Sequence, residues 1–126
     1  MFTPVLQVAL GGAIGASLRY LTGLWLVRLF GHTGFPFAII TVNVAGSFLM
    51  GVFVVLAAQR GLTHLSPLIV TGMLGGFTTF SAFSLEAVTL YERGDLGQAA
   101  LYVLASVILS ILGLMVGLWL AREVFA

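Results

Sequence analysis

The chain contains no cysteine and no lysine, and only 7% of its 126 residues carry charge. Each shortage excludes something. Without cysteine there is no disulfide, no thiolate metal ligand and no cysteine nucleophile. A water-soluble domain carries roughly 25% charged residues, whereas this chain has four acidic groups and five arginines. Such a surface cannot face water. Apolar residues make up 60% of the sequence and the mean hydropathy is +1.18, so the chain is built for a bilayer.

The rare charges act as punctuation. None lies in 29–59, 61–85 or 96–121, and 4–30 is apolar apart from a few residues such as Gln7, Arg19 and Arg28. A helix needs about 20 apolar residues to cross a bilayer. Four spans are therefore predicted in one domain, 1–126, at about 4–30, 37–58, 65–92 and 96–121. The predicted fold class is an all-α membrane protein with four transmembrane helices. Strands of a transmembrane barrel would alternate over about 10 residues, and no such pattern repeats here. A cleaved signal peptide needs a basic leading region. Met1 to Gln7 hold no basic residue, so the first span is expected to be retained. His32 and His64 lie near span ends with no second ligand type at metal spacing and read as solvated loop residues.

Four spans place Arg60 and Arg122 on one side of the membrane and Arg28 and Arg93 on the other, with Arg19 inside the first span. Basic loop residues normally set orientation, and two against two sets none. Either a short chain is balanced by chance, or it inserts both ways and pairs as an antiparallel dual-topology homodimer. Two inverted copies would supply the symmetry that larger transporters build within one chain. Four helices alone leave little room for a pore, which favours an oligomer.

Within the spans, polar and small residues are few enough to be read singly. GGAIGASLRY, Gly11 to Tyr20, spaces small residues four apart, the pattern of a close helix-packing face. Arg19 at its end is costly in a membrane unless it faces protein, water or a partner. It either snorkels to an interface or raises the positive potential of a vestibule that collects anions. In TVNVAGSFLMG, Thr41 to Gly51, Asn43 lies about two turns inside the second span. Its amide offers two donors and an acceptor, for a neighbouring helix or for a pore. Gly46, Ser47 and Gly51 continue a small-residue seam. Tyr102, Ser106 and Ser110, spaced by four, form one polar stripe on the fourth span, suited to helix pairing or to a line of anion donors.

The third span carries GGFTTFSAFS, Gly75 to Ser84. Two adjacent glycines, each costing about 1 kcal/mol in a helix, precede two threonines that can bond backbone. A helix break is predicted between Gly75 and Thr79. Non-helical backbone at membrane depth survives only inside protein or beside a wet cavity, and its bared carbonyls suit a hard cation such as Na⁺. Phe80 and Phe83 share a helix face. They either fill a core or turn their positive ring edges toward an anion. Ser81 and Ser84 add hydroxyls on neighbouring faces, and Glu86 is the first charge of the exit.

GGxxGAxxRY at Gly11–Tyr20, TVNxxGS at Thr41–Ser47 and GGFTTFSAFSxE at Gly75–Glu86 together resemble the Fluc (CrcB) family of fluoride channels over essentially the whole chain. Each motif alone is modest; the three in this order are specific. The resemblance implies an antiparallel dual-topology dimer with two fluoride pores and a broken third helix. It also implies a central Na⁺ held by backbone carbonyls, here those of Gly75 and Thr78. It places Phe80, Phe83 and Asn43 in the pore, Tyr102, Ser106 and Ser110 in its polar track, and Arg19 in its vestibule. With Ser81 added from its position between the rings, these are the candidate site residues. Two positions depart from the family pattern: Ala82, often threonine, and Ile39, a threonine in some members. They bear on the hydrogen-bond relay rather than on the assignment.

The implied activity is passive, selective export of fluoride across a bacterial inner membrane, lowering cytoplasmic fluoride, with no enzymatic step and no nucleic-acid partner. The absence of an ATP motif and of a clear intramembrane proton relay argues for passive flow. The rival is a small dual-topology multidrug exporter, which wants a carboxylate deep in a span. The first two spans have none, and Glu86 is near the end of the third. A non-transporting assembly subunit held by its glycine seams is the other alternative.

Overall fold

A computed structural model describes residues 2–125. The chain runs α1 (Phe2–Phe30), α2 (Phe37–Arg60), a 3-10 turn (Thr63–Leu65), a π-helical segment (Pro67–Leu74), α3 (Gly75–Phe77), α4 (Phe80–Glu92) and α5 (Leu96–Phe125). Pro67 opens its segment at a position where a missing N–H is harmless. Arg28, Arg60 and Arg122 sit in last turns, where the helix dipole favours a cation.

Among the described residues, three stretches are long and apolar enough to cross a membrane: Phe37–Arg60, Thr63–Glu92 and Leu96–Phe125. Four were expected. α1 has the length, 29 residues, or about 43 Å at 1.5 Å per residue. Gln7, its glycines, Ser17 and Arg19 dilute its apolar character.

Two parallel pairings build the bundle. α2 and α5 run side by side in the same direction, Val44 facing Gly113, Phe48 facing Gly117 and Arg60 lying 5.8 Å over the Phe125 ring. A methyl group on Gly117 would collide with the Phe48 carbonyl, so this position needs glycine. α1 likewise runs along the π-helical segment and α3. A methyl on Gly15 would strike the Met73 carbonyl oxygen. Backbones in direct contact gain dispersion where lipid offers no hydrophobic drive.

α4 turns back onto the start of α5, where Phe83, Leu90, Ala99 and Tyr102 form a buried cluster with Phe35, Ile39, Ile40 and Ala87 against it. The rest of the buried set is small, and large apolar side chains along α1 and α5 are exposed. A soluble monomer rarely shows so continuous an apolar surface.

Candidate functional site

The site begins where the third apolar stretch stops being helical. Thr78 (φ −87°, ψ 159°) and Thr79 (φ −154°, ψ 120°) are extended, between the end of α3 and the start of α4. The two glycines are not the extended residues. Gly75 and Gly76 stay helical in α3, and a methyl on Gly76 would meet the Gly12 carbonyl of α1. Glycine here serves close approach, whereas the β-branched threonines leave the helix and their side chains cap its two ends. Thr78 closes α3: its amide and its hydroxyl both donate to the Leu74 carbonyl, at 3.0 and 2.9 Å. Thr79 opens α4, its hydroxyl accepting the Ala82 amide at 3.1 Å, as an N-cap threonine does.

Side chains from two other helices hold this interruption. Asn43 of α2 pairs with Thr79 as a strand would. Its Oδ1 accepts the Thr79 amide at 2.7 Å and its Nδ2 donates to the Thr79 carbonyl at 3.1 Å. Arg19 of α1 donates from Nε to the Gly76 carbonyl at 3.1 Å. In an unbroken helix the amide of residue i+4 serves carbonyl i. The Thr79 amide would serve Gly75 and the Ala82 amide would serve Thr78. Both are engaged elsewhere, so the Gly75 and Thr78 carbonyls lose those donors. Two oxygens deprived of their helical partners are the ligand type a hard cation takes.

Beside the interruption lies a cleft of about 310 Å³, lined among others by Asn43, Thr78, Thr79, Phe80, Phe83, Ser106 and Ser110. Phe80 is 77% exposed, its ring centroid 5.4 Å from that of Phe83. Behind Phe83 stands Tyr102, 0% exposed, with ring centroids 5.3 Å apart. Tyr102 meets Phe35 in a T-shaped contact on its other side at 5.7 Å.

The Tyr102 and Ser106 hydroxyls are buried with no hydrogen-bond partner among the described residues. An unsatisfied buried hydroxyl costs about 1–3 kcal/mol, and in a native fold it asks for a ligand, an ion or a water. Spaced by four on α5, the pair leads from the cleft toward the buried cluster.

Six of the sequence-derived residues therefore come together: Asn43, Phe80, Phe83, Ser106 and Ser110 around the cleft, and Tyr102 behind it. Thr78 joins them through its place in the lining. Ser81 is exposed outside the lining and shares a hydrogen bond with the Thr79 hydroxyl at 3.2 Å. Arg19 stands on the α1 side, bonded to backbone. Ala82 contributes only its amide to the cap, which alanine does as well as threonine. Ile39 packs against the Phe83–Tyr102 cluster. Sequence reasoning missed Thr79 as an individual site residue and did not assign Ser47 to the cleft it lines. A threonine directly before a helical run is an N-cap signal, so Thr79 was findable.

Known proteins resemble this chain closely. The family model described as CrcB-like protein, Camphor Resistance (CrcB), matches residues 6–118. A "Fluoride-specific ion channel FluC" of Roseobacter denitrificans is 66% identical over 122 residues, covering 96% of this chain and 97% of the relative. One so named from Ruegeria sp. is 64% identical over 124 residues, covering 98% of each. A third, from Jannaschia sp., is 75% identical over 105 residues, covering 80% of this chain and all of the relative.

Proposed function

The chain belongs to the CrcB-like family, and from that premise we propose that it is a fluoride-selective channel through which fluoride leaves a bacterial cell passively across the inner membrane. The observation that carries the reading is the pair of buried, unpartnered hydroxyls of Ser106 and Tyr102 behind two phenylalanine rings. A bare small anion in hydrocarbon costs on the order of tens of kcal/mol. Conduction needs that hydration replaced stepwise, by contacts weak enough to let the ion go. The Phe80 and Phe83 edges, the second N–H of Asn43, and the hydroxyls of Ser110, Ser106 and Tyr102 are such contacts. None is a cation that would trap the ion. Arg19, near the same level on α1, adds positive potential at the approach. No chemical step is involved. The multidrug alternative lacks support, because the relatives that cover this chain are named fluoride-specific channels. In vesicles loaded with both salts, fluoride should escape far faster than chloride. Equal rates would overturn the assignment.

Further parts of the reading concern assembly. α1 crosses the membrane as the fourth span, and two copies pair antiparallel, the balanced arginines leaving insertion free in either orientation. Lysines added to the loop after α2 should fix one orientation and reduce transport, and a copy with the opposite bias should restore it when co-expressed. Full activity from copies locked in one orientation would exclude the antiparallel pair.

Na⁺ fits at the interruption, where Gly75 and Thr78 would hold it through their backbone carbonyls. It would supply a positive charge that draws the carbonyl oxygens of the two copies together. Purification with a large organic cation in place of Na⁺ should lower the assembly's thermal stability, and Na⁺ alone should restore it. Identical melting in the two media would remove the ion from the scheme.

A further inference from the structure

A second cavity, of about 460 Å³, lies at the loop between α1 and α2, lined among others by Gly34, Phe35, Ile39 and Arg93. Phe83 lines the first cleft, while Phe35 and Ile39 line the second. Tyr102 is buried between them, its ring touching both Phe83 and Phe35. The Tyr102 hydroxyl makes no hydrogen bond among the described residues. Contacts of its ring with its neighbours therefore set its direction, and Phe35 supplies one side of them.

Phe35 stands on a short loop with little to fix it. Gly31 and Gly34 both have positive φ, at 73° and 77°. Local bonds run to the Phe35 carbonyl from the Thr33 hydroxyl at 3.1 Å and the Phe37 amide at 2.8 Å, while the Gly31 amide and the Pro36 carbonyl bond only to the flanking helices. Among the described residues, the loop's one hydrogen bond to a distant element comes from Arg93, after the end of α4. Its Nη2 donates to the Gly34 carbonyl at 3.0 Å, 59 residues away in sequence. Asp95 steadies the same guanidinium, with its Oδ2 3.3 Å from Nε and 3.2 Å from Nη2. A planar fork can bond a carboxylate and a carbonyl at once, which a lysine cannot reproduce with fixed geometry.

We infer that Arg93 is a positioning residue for ion passage: by tying down the Gly34 carbonyl it seats Phe35 against Tyr102 and so aims the Tyr102 hydroxyl. The inference rests on the channel reading. Its effect falls on the maximum rate and leaves the fluoride concentration for half-maximal flow unchanged. A cation that merely attracted fluoride would change the half-maximal concentration instead.

The test uses full-length protein in vesicles with fluoride efflux measured over a range of concentrations. Arg93→Ala should lower the maximum rate severalfold at constant half-saturation, and Arg93→Lys should recover part of it. Because the chain has no cysteine, Thr33→Cys with Arg93→Cys can be bridged by a short bifunctional thiol reagent and released by reductant. Bridging should restore the rate without restoring the cation, in the same protein that was slow before bridging. An Arg93→Ala rate equal to wild type, or a bridged pair no faster than the unbridged one, overturns the inference. Failure of the wild-type protein to release fluoride at all would instead overturn the channel reading beneath it.

Discussion

Phe80→Ile should slow fluoride efflux at least about tenfold in protein that still assembles as the wild type does. The structure makes this residue a sharper probe than its partner. Phe83 is buried, so shortening it disturbs a core, whereas Phe80 is largely exposed and lines the cleft. If Phe80 only filled space, isoleucine would serve nearly as well. Isoleucine has no quadrupole, and an aromatic edge contributes about 0.5–1.5 kcal/mol to a suitable contact. Each 1.4 kcal/mol of barrier is about a factor of ten in rate. A partly dehydrated anion feels the loss more strongly than a neutral ring does. Wild-type efflux from Phe80→Ile vesicles would return both rings to packing.

Asn43→Asp should abolish fluoride flow and destabilise the protein together. The amide holds Thr79 from both sides, accepting at Oδ1 and donating at Nδ2. A carboxylate keeps the acceptor and loses the donor, which sets an oxygen against the Thr79 carbonyl. That part-buried carbonyl then lacks its partner, at about 1–3 kcal/mol, and a negative charge enters the lining an anion must pass. Thermal unfolding and efflux measured on the same preparation test both halves. Unchanged melting would show that the clamp contributes nothing to stability. Retained efflux would remove Asn43 from the route.

The chain's ends and turns were readable because charges, glycines and prolines mark them. Spans expected at 37–58 and 96–121 correspond to Phe37–Arg60 and Leu96–Phe125. The packing face read from Gly11 and Gly15 meets the backbone of the third stretch. Partners distant in sequence were not readable. Nothing in periodicity pairs Asn43 with Thr79, 36 positions away, or Arg19 with the Gly76 carbonyl, 57 positions away. Nor does apolar patterning distinguish the π-helical Pro67–Leu74 from an ordinary α-turn. The difference is one residue in hydrogen-bond reach, as when the Gly75 amide donates to the Val70 carbonyl. The Tyr102–Ser106–Ser110 stripe gave a face but not its depth. Tertiary contacts bury the first two residues and leave the third at the cleft.

The arrangement of the two clamps also orders the birth of the protein. Arg19 and Asn43 both precede Thr78 and Thr79 in the chain, so both have left the ribosome before the extended pair emerges. Exposed amides and carbonyls are costly in lipid until partners meet them. A nascent third segment therefore emerges when the two residues that meet its backbone have already been made. A rearranged gene that encoded Thr63–Glu92 ahead of α1 and α2 would have to insert that segment with its backbone unmet, and would depend on the translocon to shelter it until the partners arrived.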